Sequence, residues 1–175
     1  MRLASLILLS ILTFAGQSFA QTIKIGYADI QAVLSRMPET KTMQQTLQSY
    51  EQKLAEKLQS KQQYAQTKLQ EYMELREGGA DQATLAPLEA ELQKLDQEIS
   101  AENTDAETKL MTRRQDLLQP IIDKLQAGID AIAAEDGYSF IMSKVDGTGS
   151  SLVLYGPEEY DVTLKLMKKL NIPTE

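Results

Sequence analysis

The apolar residues of the chain follow a helical period over its central part and a strand-like period near both ends. From residue 39 to residue 119 the sequence is rich in Gln, Glu, Lys, Leu and Ala and poor in β-branched residues, which favours helix. Two adjacent glycines, Gly78 and Gly79, interrupt this stretch. Because adjacent glycines end a helix and allow the chain to reverse, the pattern predicts a long αα-hairpin with its turn at residues 78–81.

Two prolines mark the other end of the predicted hairpin. Pro38 and Pro120 each lie 41 residues from Gly79, so a chain that reverses there brings both to the same height. We expect them at the base of the hairpin, with Pro120 kinking or interrupting the returning helix. Pro87 is tolerated if the second helix begins near residues 84–86, which places it in the first turn.

The two arms carry different apolar spacings. The first arm has an 11-residue repeat, which winds nearly straight, at Leu47, Tyr50 and Leu54, then Leu58, Lys61 and Ala65, then Leu69, Tyr72 and Arg76. The second arm begins as a heptad at Leu85, Leu88, Leu92, Leu95 and Ile99. Residues 96–107 then hold five acidic residues and no basic one. We expect this segment to be solvated and flexible; cation binding and repulsion from a membrane are the alternatives.

The N-terminal end of the hairpin follows a short strand and a short helix. Ile23, Ile25 and Tyr27 alternate at period two, which predicts a strand over residues 23–28. Asp29 can then cap a short helix. That helix should end near Met37, because a proline follows it.

The C-terminal part of the chain predicts two helices separated by two strands. The first helix has an apolar face over residues 121–132 and ends at Gly137, a C-terminal cap. Residues 139–145 and 151–155 are predicted strands joined by a Gly-rich turn. A last helix is expected over residues 159–170, with an inner face formed by Val162, Leu166, Met167 and Leu170.

The predicted strands are short but apolar on both faces, so both faces should be covered. Without the hairpin the chain leaves roughly 70 residues, which bury little surface alone. We therefore predict a mostly α-helical α+β protein, in which the hairpin projects from a small β-body of residues 21–38 and 120–175 shared between chains. The alternative is a monomer with a three-stranded sheet packed on its flanking helices. Candidate residues of the shared body are Ile23, Ile25, Tyr27, Phe140, Met142, Leu152 and Leu154.

Residues 1–20 have the pattern of a secretory signal peptide. Arg2 is followed by an apolar run over residues 3–15, and small residues precede the expected cleavage site after Ala20. A membrane anchor is the alternative, but the run is shorter than the roughly 20 residues that a spanning helix needs. The sequence therefore predicts export and a mature chain that begins at Gln21.

Composition and charge exclude several classes of function. The chain has 18 Lys and Arg, 25 Asp and Glu, a net charge of −7, and no His, Cys or Trp. The usual zinc, haem and iron–sulfur ligands and the catalytic His and Cys are therefore missing. The acidic balance argues against nucleic acid as a partner. We predict no catalytic residue, no cofactor and no metal site.

Three features together resemble the Skp/OmpH family of periplasmic chaperones. They are the signal peptide, residues 24–29 (Lys-Ile-Gly-Tyr-Ala-Asp), and the Gln/Glu/Lys-rich hairpin that leads into residues 117–138. The last segment is the most specific of them. The resemblance implies a periplasmic homotrimer, with a small β-barrel built from strands of all three chains. It also implies that three hairpins surround a cavity, which holds unfolded outer-membrane β-barrel proteins without ATP.

The charge of the hairpin departs from the best-known members of that family, which are basic. Here residues 39–77 have six acidic and six basic residues, and residues 81–119 have nine acidic and four basic ones. The acidic returning arm argues against binding to a membrane surface.

Large side chains on the first arm are the candidate client contacts. They are Tyr50, Tyr64, Tyr72 and Met73. Flexible Met and amphipathic Tyr suit promiscuous contact, although Tyr50 and Tyr72 also lie on the 11-residue repeat and could instead pack between the arms. The competing function is a coiled-coil structural or adaptor protein of the cell envelope. Paired carboxylates on the helices lack any predicted pocket, so we do not expect an enzyme.

Overall fold

The computed structural model describes residues 23–173, so the predicted signal peptide lies outside the described residues. Its elements in chain order are β1 (Ile25–Ala28), α1 (Ile30–Arg36), α2 (Pro38–Glu77), α3 (Gln82–Asp136), β2 (Phe140–Ser143), a 3₁₀ turn (Glu158–Tyr160) and α4 (Thr163–Lys169). The fold is a mostly helical α+β fold, as predicted. None of the helices within residues 23–173 is long and apolar enough to cross a membrane.

The short helix α1 leads directly into the long helix α2. The carboxylate of Asp29 accepts a hydrogen bond from the backbone N–H of Ala32 at 2.8 Å, which confirms the predicted cap. Met37 has an extended backbone with ψ 128°, the conformation that the residue before a proline favours. Pro38 is then the first residue of α2, where its missing N–H costs no hydrogen bond. Met37 is buried and fills the corner between the two helices.

The long helices α2 and α3 form the predicted antiparallel hairpin. Helix α2 has 40 residues and ends at Glu77, with Gly78 as its C-cap, and Gly79 follows with φ 78°. The carboxylate of Asp81 then accepts from the backbone N–H of Thr84 at 2.9 Å and caps α3. This cap starts α3 at Gln82, so the predicted start near residues 84–86 is wrong. Pro87 therefore lies in the second turn of the helix rather than the first.

Helix α3 continues through Pro120 and ends at Asp136, after 55 residues. Pro120 was predicted to kink or interrupt the helix, and the interruption is wrong. Proline removes one backbone hydrogen bond, but the helix face that follows it is buried against the core, and this burial favours continuation of the helix. The buried residues of that face are Ile121, Leu125, Gly128 and Ile132. Gly137 ends α3 in the left-handed conformation, with φ 70°, as predicted.

The two strands pair in parallel, with Ile25 opposite Phe140 and Tyr27 opposite Met142. The predicted second strand is shorter than expected, because β2 covers only Phe140–Ser143. The predicted third strand over residues 151–155 does not form among the described residues. Its first residue makes one isolated antiparallel bridge to Val145. The backbone N–H groups of Leu152 and Val153 both donate to the carbonyl of Lys144, at 2.9 and 3.3 Å, and those of Leu154 and Tyr155 make no backbone hydrogen bond among the described residues.

The predicted last helix is divided in two. The backbone N–H of Val162 donates to the carbonyl of Tyr27 at 2.9 Å, which draws the chain alongside β1. The carboxylate of Asp161 accepts from the N–H of Thr163 at 2.9 Å, and α4 begins there. A single helix over residues 159–170 is therefore wrong. Its predicted inner face is confirmed, because Val162, Leu166, Met167 and Leu170 are all buried.

The core of the body lies where α1, α4 and the last turns of α3 meet one face of the sheet. Gly128 is the point of closest approach between α3 and α4. A Cβ added there would lie 2.9 Å from Leu170 Cδ2 and 3.0 Å from Leu166 Cδ1. Since both leucines are buried in the core, a larger side chain has no room without moving α4.

We expect Gly128→Val to destabilise the protein by roughly 1–3 kcal/mol, because overpacking forces buried side chains out of place. The matched control is Ala127→Val, which introduces the same β-branched residue at the neighbouring, exposed position of α3. Urea unfolding followed by circular dichroism would measure both changes. Equal midpoints for the two variants would contradict the close packing of α4 on α3.

Candidate functional site

The seam between the arms of the hairpin follows the predicted 11-residue repeat over its first two rounds. Leu47, Leu54, Leu58 and Ala65 are among the less exposed residues of α2. In the third round only Tyr72 keeps its predicted place in the seam. Leu69 is 48% exposed and Arg76 is exposed, and the residues directly before them, Lys68 and Leu75, lie in the seam instead. The facing part of α3 carries a heptad of leucines, and a heptad partner requires steps of three and four residues.

Ion pairs join the arms where the seam has few apolar residues. Lys57 Nζ donates to Glu102 Oε1 at 2.5 Å, and Lys61 Nζ lies 3.0 Å from Glu98 Oε2 and 3.5 Å from Glu102 Oε2. The side chain of Glu102 is only 14% exposed, and that of Lys61 is 25% exposed. The prediction that residues 96–107 are solvated is therefore wrong for Glu102, whereas the side chain of Glu98 is 40% exposed. Two acids with basic partners 37 to 45 residues away along the chain fix the register of the arms.

These contacts shift the pKa values of the paired groups. The hydrogen bond from Lys61 lowers the pKa of Glu98, and the hydrogen bond from Lys57 lowers the pKa of Glu102. The hydrogen bond to Glu98 raises the pKa of Lys61. A carboxylate with a lowered pKa stabilises the folded state above its ordinary value near 4.5 and loses that contribution as the pH falls through the lowered value. The ion pairs are therefore present at neutral pH and are lost in acid.

The four candidate client contacts do not lie together. The hydroxyl of Tyr72 donates to Glu89 at 2.7 Å and that of Tyr64 donates to Glu91 at 2.8 Å, so both tyrosines reach from α2 to α3. These carboxylates raise the pKa of each phenol. Tyr50 is half-buried beside a polar cleft of about 390 Å³ between the arms. Met73 is 51% exposed and extends away from the seam.

Four exposed apolar residues of the hairpin were not among the predicted client contacts. They are Leu69, Met111, Leu118 and Ile122. Met111 is the most exposed of them, at 72%. The last three follow one another at seven and four residues, which is an 11-residue spacing that keeps them on one line along the helix. This spacing is the sequence signal from which these three residues could have been predicted to share one surface.

The base of the hairpin is a cleft between the first turn of α2 and the middle of α3. Pro38 and Pro120 both line this cleft, which has a volume of about 480 Å³. An ion pair between Lys124 and Glu39 joins the two helices beside it. At the other end of the hairpin, Gly78 and Gly79 form the reversal.

The β-body leaves one side of its sheet open. Six of the seven residues predicted for the shared body are exposed: Ile23, Ile25, Phe140, Met142, Leu152 and Leu154. Leu154 is 91% exposed and its neighbour Tyr155 is 88% exposed. Tyr27, the seventh, is half-buried, and its hydroxyl donates to the carbonyl of Gly156 at 3.0 Å. We call this surface the open sheet face.

The candidate site is thus a long hairpin on a small mixed body, with apolar side chains exposed on both. Residues 24–170 match the family model described as "Outer membrane protein (OmpH-like)". The chain therefore belongs to the OmpH-like family, a family of chaperones associated with outer-membrane proteins. A search of curated proteins gives no match.

We expect the hairpin to loosen in acid because its middle is held by ion pairs. Amide hydrogen exchange in α2 and α3 should become faster as the pH is lowered from 7 to below 4.5, after correction for the intrinsic rate. In the double variant Glu98→Gln and Glu102→Gln, exchange in the facing turns should be roughly two- to five-fold faster at pH 7, and the acid response should be smaller.

The control for this prediction is Glu107→Gln. It removes one charge from the same acidic segment, at an exposed position that makes no ion pair within the described residues. If this single variant loosened the hairpin as much as the double variant, general charge rather than pairing between the arms would control its stability.

Proposed function

We propose that this protein is an ATP-independent holdase of the periplasm. In this proposal it binds unfolded outer-membrane β-barrel proteins in a cavity between the helical hairpins of a homotrimer. The observation that carries the proposal is the open sheet face on a chain of the OmpH-like family.

The open sheet face supports assembly with further copies of the chain. Ile25, Phe140 and Met142 lie on one side of a two-stranded sheet, while the helices cover the other side. Next to them, residues 152–155 run as an apolar segment without a strand of their own. Exposed apolar surface of this extent on a small body favours association, and a neighbouring chain supplies both the missing cover and a strand partner. The number of three copies rests on the resemblance to the family.

The dimensions of the hairpin suit a cavity that encloses a client. Helix α2 has 40 residues, which extend about 60 Å at 1.5 Å per residue. The body fixes the direction of the hairpin, because α3 passes from one into the other as a single helix. Several copies joined at their bodies would hold their hairpins around a common space. A client held there is shielded from other unfolded chains.

The charge of the hairpin affects which surfaces it can bind. Some of the acidic residues of the returning arm are paired with Lys57 and Lys61 of the outgoing arm. The remaining excess is negative, so anionic lipid is disfavoured as a partner. We do not propose that a positively charged cavity selects the clients. Apolar contact is instead the attraction between the hairpin and its client.

An aggregation assay without nucleotide tests this function. An unfolded outer-membrane β-barrel protein is diluted from urea into buffer that contains the mature chain, from residue 21, in molar excess over the client. We expect light scattering to be largely suppressed, because a holdase needs only to cover the exposed apolar surface of the client. The same assay with added ATP should give the same suppression.

The matched control is the variant Phe140→Ser with Leu154→Ser, which makes the open sheet face polar without changing the hairpin. It should lower the mass of the particle in solution and reduce suppression together. Full aggregation with the wild-type protein in excess would contradict the holdase proposal and favour the adaptor alternative.

A further inference from the structure

The hairpin has two unlike sides. The exposed Leu, Met and Ile residues of the hairpin each follow a seam residue directly in the sequence: Leu69 follows Lys68, Met73 follows Tyr72, Met111 follows Leu110, Leu118 follows Leu117, and Ile122 follows Ile121. One residue turns a helix by about 100°, so all five point to the same flank of their own helix.

The antiparallel arrangement places these two flanks on the same side of the hairpin. A local two-fold axis normal to the plane of the hairpin relates the two arms. Rotation about that axis exchanges the arms and leaves each side of the plane in place. Residues that follow the seam in α2 therefore lie on the same side as residues that follow it in α3. We call the surface formed by Leu69, Met73, Met111, Leu118 and Ile122 the apolar side.

Apart from the bond of Tyr72 to Glu89, which follows the seam residue Leu88, side chains outside the seam make their polar contacts between the arms on the other side of the hairpin. Residues that come directly before a seam residue in the sequence lie on this side, as their contacts show. Tyr64 precedes Ala65 and donates to Glu91, which precedes Leu92. Thr46, Ser49 and Lys53 likewise precede seam residues, and all three line one cleft with Arg113 of α3. We call this the polar side.

Two of the candidate client contacts thus point in opposite directions. Tyr64 and Met73 are nine residues apart, which places them about 180° apart around α2. Both cannot face the same cavity. The hydroxyl of Tyr64 is held by Glu91 on the polar side, whereas Met73 lies on the apolar side.

We propose that the apolar side is the surface that contacts the client, and that it binds extended segments whose apolar residues alternate with polar ones. This inference rests on the proposed holdase function and adds to it the side and the pattern that are recognised. Leu118 and Ile122 are four residues apart, as are Leu69 and Met73, which gives a spacing of about 6 Å along each helix.

The spacing of these pairs matches the chemistry of the client. Alternate residues of an extended strand lie roughly 6.5–7 Å apart, and strands of outer-membrane barrels alternate apolar and polar residues. An unfolded strand of this kind can therefore place successive apolar side chains against Leu118 and Ile122. Two of the five contact residues are Met, whose flexible side chain adapts to different neighbours.

Site-specific photo-crosslinking tests the assignment of the sides. A photoreactive residue is placed at Met111 or at Ser49, which lie 32 and 30 residues from Gly79 and thus at nearly the same height on opposite sides. With an unfolded outer-membrane β-barrel protein, we expect crosslinks to the client from position 111 and few from position 49. Equal yields, or a higher yield from position 49, would overturn the proposal.

Substitution gives a second measurement. The triple variant Met111→Ser, Leu118→Ser and Ile122→Ser should weaken client binding roughly ten-fold through lost apolar contact, with helix content unchanged because all three side chains are exposed. Leu164→Ser is the control, since Leu164 is 59% exposed on α4, away from the hairpin. Unchanged affinity in the triple variant would overturn the proposal.

The results distinguish a failure of the side assignment from a failure of the proposed holdase function. Suppressed aggregation with crosslinks from position 49 refutes the apolar side while the holdase function stands. Absence of both suppression and crosslinks refutes the two together. The recognised pattern is tested with two peptides of the same composition, one with alternating apolar residues and one with its apolar residues in a single block. Equal binding of the two peptides would contradict recognition of alternation.

Discussion

The covering of the two-stranded sheet is the constraint on which the rest of the structure depends. One face of the sheet packs against α1, α3 and α4, and this core fixes the base of the hairpin. The other face presents Ile25, Phe140 and Met142 to the surface. The same chain therefore contains a well-packed body core and an apolar face that it does not cover. The hairpin extends from the covered side, and the open side is the surface through which we propose that copies of the chain associate.

Helix α3 connects these two parts physically. Its last turns bury Leu125 and Ile132 in the body, and its first turns bury Leu85 and Leu95 between the arms. Because the helix is continuous, a change in packing at the body is transmitted to the direction of the arm. The middle of the hairpin is different, since Lys57 and Lys61 meet Glu98 and Glu102 there. Charge pairing replaces apolar packing in this part, so register is kept with little buried surface.

Local signals were sufficient for much of the fold. The cap at Asp29, the reversal at Gly78 and Gly79, the left-handed Gly137 and the buried face of α4 depend on neighbouring residues, and all are present in the structure. The effect of Pro120 was not predictable from its neighbours. Pro120 lies within a continuous helix because distant residues pack around the turns that follow it.

Features that depend on two distant segments also escaped the sequence reasoning. The pairing of Lys61 with Glu98 joins residues that are 37 positions apart along the chain, so it can be recognised only when the register of the arms is known. The segment at residues 151–155 has the composition of a strand, but a strand also needs a partner. The two sides of the hairpin can be distinguished only when the seam residues are known. The 11-residue spacing of Met111, Leu118 and Ile122 then indicates that these residues lie on one side.

The central claim is that other copies of this chain cover the open sheet face. Amide hydrogen exchange at residues 154 and 155 of the mature protein tests it most directly. Within one chain, Leu154 and Tyr155 are almost fully exposed, and no backbone hydrogen bond from either N–H is present among the described residues. The account predicts slow exchange at these two amides, comparable to the body core, because a neighbouring chain pairs with them. Exchange at the rate of an unfolded peptide would contradict it.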